Sequence, residues 1–111
     1  MSPAKPRREI TTILSTLRNY LQQEYQERLD KVILFGSEAR GEATPESDID
    51  VLIVLKDPVN ASAELERTSQ FIAQLCLEHS VLIARLFMPQ SRFETESAPL
   101  LRNIRQEGIL L

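Results

Sequence analysis

The pattern of apolar and polar positions alternates along the chain between helical spacing and short continuous runs. From Glu9 onward, apolar residues recur every three or four positions, which predicts an amphipathic helix with this inner face: Ile10, Ile13, Leu14, Leu17 and Leu21. Val32–Phe35 and Val51–Leu55 are instead unbroken apolar runs, which are typical of strands buried on both faces. Between them, Ser37–Arg40 is predicted to form one or two helical turns that stop at Gly41.

The second half of the chain continues this alternation of helices and strands. A long helix that Asn60 or Ser62 can cap is predicted to end near His79. Val81–Met88 is the third predicted strand, and a last helix is predicted over residues 97–107. The order is therefore helix, strand, short helix, strand, helix, strand, helix.

Short strands separated by helices indicate an α/β fold, here a small mixed sheet flanked by helices. At 111 residues the chain is expected to form a single domain over residues 1–111. The apolar end, Ile109–Leu111, is expected to pack onto the core; the alternative is that it covers the surface of a partner.

Composition and charge narrow the classes of function. The chain is 42% hydrophobic and 26% charged, as expected of a globular protein. Its 13 Lys and Arg against 16 Asp and Glu give a net charge of −3, which argues against stable nucleic-acid binding. No apolar run approaches the roughly 20 residues that cross a bilayer, and the start lacks a signal-peptide pattern, so a cytoplasmic protein is expected. The single cysteine, Cys76, is expected near the core as a reduced thiol.

Gly36 and Ser37 follow the first predicted strand and open the short helix. A glycine here lets a ligand approach the backbone, and the N–H groups of the following turn suit a phosphate. The Ser37 hydroxyl can donate to that phosphate, although its simpler role is to cap the helix.

Asp48 and Asp50 stand at the entry of the second predicted strand. Alternate residues of a strand point to one face, and their Cα atoms lie roughly 6.6 Å apart. Two carboxylates this close repel each other unless a cation lies between them, and Mg²⁺ prefers such hard oxygen ligands. The alternative is that Asp48 is a turn residue and Asp50 is simply exposed at the strand entry.

The combination G36-S37, ten intervening residues, then D48-I49-D50 resembles the signature of the DNA polymerase β-type nucleotidyltransferase superfamily. The longer stretch GSEARGEATPESDIDVLIV is similar to the minimal nucleotidyltransferases, small single domains often paired with a HEPN-domain ribonuclease toxin. At the level of the fold, the resemblance covers most of the chain.

The resemblance implies that AMP is transferred from ATP with release of pyrophosphate. Gly36 and Ser37 would hold the β- and γ-phosphates, and Asp48 and Asp50 would hold Mg²⁺. Arg40 is a candidate to neutralise phosphate charge; the alternative is that it is a surface arginine. It further implies a hydroxyl side chain of a HEPN toxin as the acceptor, an antitoxin role, and a hetero-oligomer of the two proteins. The alternative is a catalytically weak or inactive module that neutralises its partner by binding alone.

The chain departs from the family pattern in one respect. Family members commonly carry a third carboxylate on the next strand, whereas Val81–Met88 contains no acid and Ser80 stands where an aspartate is expected. Glu78 lies nearby on the predicted helix end. His79 is a candidate substitute base, although its simpler role is that of a helix-end histidine facing solvent or the core. The identity of the general base is therefore left open.

Overall fold

The computed structural model describes residues 7–43 and 48–111 and contains the predicted elements together with several further ones. In chain order they are α1 Arg7–Tyr25, a 3₁₀ turn Gln26–Arg28, β1 Leu29–Phe35, α2 Ser37–Arg40, β2 Ile49–Leu55, α3 Ala61–His79, β3 Ile83–Pro89, α4 Gln90–Thr95, α5 Pro99–Glu107 and β4 Ile109–Leu110.

The strands form one mixed sheet in the order β3-β2-β1-β4. β1 is antiparallel to both β2 and β4, whereas β2 and β3 are parallel and are joined by the crossover through α3. The fold is therefore the predicted mixed α/β sheet flanked by helices. Because β1 ends where β2 begins, Phe35 lies opposite Asp50 at one end of the sheet.

Helices cover both faces of the sheet, which explains the unbroken apolar run of β2. Val51, Ile53 and Leu55 pack against α1 and α3 on one face. Leu52 and Val54 pack on the other face against the buried side chains of α4 and α5, namely Phe93, Leu101 and Ile104. Every residue from Val51 to Leu55 is consequently buried.

A buried polar cluster lies at the end of the sheet away from Asp50. The Tyr25 hydroxyl donates to Glu64 Oε1 at 2.7 Å, and burial and this bond raise the pKa of Tyr25. Arg28 and Arg67 approach the Glu64 carboxylate at 3.6 Å and 3.8 Å. Glu64 is therefore a buried acid with several partners, as burial of a charge requires.

The ends of the predicted elements shift by a few residues. α1 begins at Arg7 rather than Glu9, and β1 begins at Leu29, three residues earlier than expected. β3 begins two residues later than expected, at Ile83. Asn60 caps α3 by accepting a hydrogen bond from the Ala63 N–H, and Cys76 is partly buried against the core, both as predicted.

The expectation that the whole apolar C-terminus packs onto the core was wrong. Ile109 and Leu110 pair with β1 through their backbones, and their side chains stay 45% and 67% exposed. Leu111 alone packs partly against the core, and its N–H donates to the Val32 carbonyl at 2.9 Å. Backbone pairing thus places this segment without requiring its side chains to be buried. Among the helices formed by the described residues, none combines the length and hydropathy needed to span a membrane.

Candidate active site

Two glycines flank the short helix α2, Gly36 between β1 and the helix and Gly41 after it. Gly36 adopts φ of 74° and Gly41 φ of 73°, a left-handed region that side-chain-bearing residues rarely adopt. The short helix α2 lies between them, and the Arg40 N–H at its end donates to the Gly36 carbonyl at 3.2 Å. The predicted helix and its stop at Gly41 are confirmed.

Gly36 lies directly against Asp50 of the neighbouring strand. A β-carbon built at Gly36 would overlap Asp50 Oδ2 and lie 3.3 Å from its Cγ. No larger residue could occupy this position without moving the carboxylate. The close approach therefore brings the candidate phosphate-binding turn and the candidate metal ligand into one site.

Asp48 and Asp50 influence each other electrostatically. Asp50 is half-buried at the start of β2, whereas Asp48 is exposed just before the strand. Burial raises the pKa of Asp50, and the negative charge of Asp48 raises it further, while Arg40 opposes both effects. The ionised pair is thus unfavourable by itself, and a cation between the two carboxylates would relieve the repulsion.

The donor set at this site fits Mg²⁺. Two carboxylates supply hard oxygen ligands and leave the remaining coordination positions to waters and phosphate oxygens, as this ion prefers. Within residues 7–43 and 48–111, no group of three His, Cys, Asp or Glu side chains converges to form a larger metal cluster. An all-protein cage is therefore not formed by the described part of the chain.

Arg40 faces two carboxylates of its own chain. Its Nε donates to Glu42 Oε1 at 2.7 Å, and its Nη1 lies 3.9 Å from Glu107 Oε2 at the end of α5. The hydrogen bond with Glu42 is the main cause that raises the pKa of Arg40. The guanidinium is partly exposed and close enough to lower the pKa of Asp50. Its role at phosphate stays a prediction.

A cavity of about 190 Å³ opens between α2 and α5 beside this turn. It is lined by Phe35, Gly36, Arg40, Leu100, Asn103, Ile104 and Glu107. The contribution of α5 was missed from the sequence. Its only signal was the spacing of Leu100, Asn103 and Glu107, which places them on one helical face.

The β3 side of the site differs from the sequence expectation. Ala84, not Ser80, lies beside Asp50 in the parallel pairing of β2 and β3. Ser80 ends α3 in a left-handed conformation with φ of 54°, four residues before that position. Nδ1 of His79 lies 3.7 Å from Glu9 Oε1, which is consistent with a helix-end histidine. The described part of β3 thus supplies no carboxylate next to Asp50.

Comparison with known proteins identifies the family. The model of the nucleotidyltransferase domain family matches residues 14–110. The chain is also 34% identical over 94 residues to "Putative protein adenylyltransferase MJ0604" of Methanocaldococcus jannaschii, covering 84% of this chain and 88% of that relative.

Solved structures share the fold. A toxin-antitoxin crystal structure with AMP-PNP matches with a TM-score of 0.59 at 18% identity, over 86% of this chain and 69% of that one. A mutant of the toxin-antitoxin MntA-HpeT matches with a TM-score of 0.58 at 20% identity, over 87% of this chain and 70% of that one. Residues 14–110, which the family model matches, include the β1–α2 turn and both aspartates. The chain therefore belongs to the nucleotidyltransferase domain family.

Proposed function

We propose that this protein transfers AMP from ATP to a hydroxyl-bearing side chain of a HEPN-domain toxin and thereby acts as its antitoxin. The contact between Gly36 and Asp50 carries the proposal, because it brings the candidate phosphate-binding turn next to the candidate metal ligand. The adenylyltransferase name of the relative and the toxin-antitoxin neighbours support the reaction and the kind of partner.

In the proposed site, the backbone of Gly36 and Ser37 binds the β- and γ-phosphates, and Arg40 leaves its carboxylate partners to neutralise them. Asp48 and Asp50 hold Mg²⁺, which when bound stabilises charge on the reacting phosphate. These residues act mainly by positioning the α-phosphate. The cavity beside α2 leaves Arg40 room to turn.

The reaction is an in-line displacement at the α-phosphorus. A bond forms between the acceptor oxygen and the α-phosphorus, and the bond from that phosphorus to the bridging oxygen breaks. The electron pair leaves with pyrophosphate, and the hydroxyl proton passes to solvent or to a base. The sheet position beside Asp50, where a third acid would stand, is occupied by Ala84.

That alanine favours a second candidate function. A module with a weak or absent base would neutralise the toxin by docking, with nucleotide binding retained and no transfer. In both cases the partners form a hetero-oligomer. The net charge of −3 disfavours a polynucleotide acceptor in either case.

Mass spectrometry distinguishes the two functions. The chain is incubated with ATP, Mg²⁺ and the product of the adjacent gene, and that candidate partner is then weighed. A gain of one or more AMP units that disappears with Asp48→Asn and Asp50→Asn is expected. The transfer function would be rejected in favour of docking if the partner stays unmodified and its ribonuclease activity is still inhibited by the wild type and by both variants.

A further inference from the structure

One stretch of the sheet next to Asp50 is apolar and uncovered. Leu82, Ala84 and Leu86 occupy alternate positions at and just before the start of β3, and we call them the open β3 surface. Leu82 is 65% exposed and Leu86 is 42% exposed, and Ala84 is exposed as well. Alternate residues of a strand share one face, so the two leucines flank Ala84 in one apolar row, and exposed apolar patches of soluble proteins often mark interaction sites.

The register of the sheet places this surface on the same face as Asp50. Ala84 pairs with Asp50 and Leu86 pairs with Leu52, so their side chains share a face. Ile83 and Phe87, which lie at odd-numbered positions of the same strand, turn to the other face and are buried against α1 and α3. Further along β3, Met88 is covered by the helix pair α4 and α5, so the open surface ends there.

If the proposed function holds, the in-line geometry of the reaction at the α-phosphorus gives this surface a role. β2 carries Asp50 and lies between β1, which leads into Gly36, and β3. Attacking and leaving oxygens lie on opposite sides of the phosphorus in an in-line reaction. With pyrophosphate leaving over Gly36 and Ser37, the acceptor hydroxyl must approach from the β3 side.

We propose that the open β3 surface binds the acceptor, and that the acceptor is an apolar segment of the partner protein carrying the hydroxyl-bearing side chain. Leu82 and Leu86 contact apolar groups on either side of that residue. Ala84 is the smallest of the three and lies beside Asp50, so it leaves room for the reacting side chain.

Charge distinguishes this occupant from a nucleic acid. The surface itself has no basic side chain to neutralise phosphates. The nearest cation on β3, Arg85, turns to the opposite face, where it donates to Thr68 Oγ1 at 2.9 Å and to the Leu65 carbonyl at 2.7 Å. A polyhydroxylated small molecule would likewise find few polar partners on two leucines and an alanine.

Leucine-to-lysine substitutions test the surface. The kinetics of AMP transfer to the HEPN partner are measured for Leu82→Lys, Leu86→Lys and the double variant, and ATP binding with Mg²⁺ is measured by calorimetry. The double variant is expected to raise the KM for the partner by about tenfold or more, which corresponds to the loss of one binding hot spot. ATP affinity should stay unchanged. Leu77→Lys is the matched control, because Leu77 is 83% exposed on α3, which packs against the other face.

Photo-crosslinking supplies a measurement that does not depend on transfer. A benzophenone amino acid at position 86 should crosslink to the HEPN partner, and the same group at position 77 should not. An unchanged KM in the double variant, crosslinking from position 77 alone, or AMP transfer to an added RNA in preference to the protein would overturn the assignment. If the wild type modifies no partner while position 86 still crosslinks, transfer fails as the function and the surface stands as the docking site.

Discussion

The carboxylate of Asp50 lies in the space that a side chain at Gly36 would fill. Phe35 and Asp50 pair across β1 and β2, so the residue after Phe35 meets the carboxylate as the chain turns into α2. A glycine is required there twice over, once for its positive φ and once for the missing β-carbon.

The two requirements can be separated by comparing Gly36→Ala with Gly41→Ala. Gly41 is in the left-handed helical region, so Gly41→Ala should lower the free energy of unfolding by roughly 1–2 kcal/mol. Gly36 has ψ of −153°, a conformation that essentially only glycine adopts, so Gly36→Ala should lower the free energy of unfolding by more than Gly41→Ala does. A β-carbon at Gly41 meets no atom within 4 Å, whereas one at Gly36 displaces Asp50. Calorimetry should therefore show lost Mg²⁺-dependent ATP binding only for Gly36→Ala. Equal affinities in the two variants would argue that this contact does not organise the site.

Asp50→Asn should stabilise the nucleotide-free protein while abolishing AMP transfer. Burial and Asp48 raise the pKa of Asp50, so its ionised form is less favourable in the folded state. Stability is lost where Asp50 is ionised and returns as the pH falls through the raised pKa. The melting temperature of the variant should thus exceed that of the wild type at neutral pH in EDTA, and the difference should vanish below about pH 4. A constant difference across that range would contradict this origin.

Arg40→Ala should raise the KM for ATP by about tenfold if the guanidinium binds phosphate, and Arg40→Lys should recover part of the loss. Arg102→Ala is the control, since Arg102 is an exposed cation of α5. Initial rates over a range of ATP concentrations provide the measurement. A KM equal to that of the control would leave Arg40 as a surface residue paired with Glu42 and Glu107.

Ala84→Asp should place an acid beside Asp50. Because Ala84 is exposed, the new side chain has room, and a third carboxylate should lower the Mg²⁺ concentration at which ATP binding is half-maximal in the absence of the partner. Ala84→Asn has the same shape without the charge and is the matched control. If both variants require as much Mg²⁺ as the wild type, the β3 position does not face the metal site.

Glu64→Ala tests whether stability and nucleotide binding are independent. This substitution removes the acceptor of the Tyr25 hydroxyl and an ion-pair partner of two arginines. The free energy of unfolding, measured in urea, should fall by about 1–3 kcal/mol. Glu66→Ala, at an exposed position of the same helix, should change little. ATP affinity should be unaffected, because the cluster adjoins the Leu29–Leu55 pair, roughly 16 Å along β2 from Asp50. Reduced ATP affinity in a folded Glu64→Ala protein would show that the two regions are coupled.

Local patterns identified the parts of the site that are adjacent in sequence. The apolar run from Val51 to Leu55 predicted a doubly covered strand, and the glycines at positions 36 and 41 predicted the bounds of α2. Each prediction depended only on residues close together in the sequence. Glycine has a freer backbone than other residues, and strands buried on both faces are apolar runs. For the same reason Asp48 and Asp50 stood out together.

Those local patterns could not predict which strands pair or in which register. β4 is two residues long and keeps exposed side chains, so it has no apolar alternation to indicate a strand; it exists because β1 offers it a free backbone edge. The position beside Asp50 was expected at Ser80 and is Ala84, because the end of α3 and the register of β3 decide it.

The sequence by itself determined the family signature, the charge pair and the α/β class, since each depends on residue types at short spacing. Only the tertiary structure decided that Gly36 touches Asp50, that Glu107 reaches Arg40, and that Leu82 and Leu86 stay exposed on the Asp50 face of the sheet. Those contacts join segments distant in the chain, and they depend on the register and layer packing that bury the core most completely.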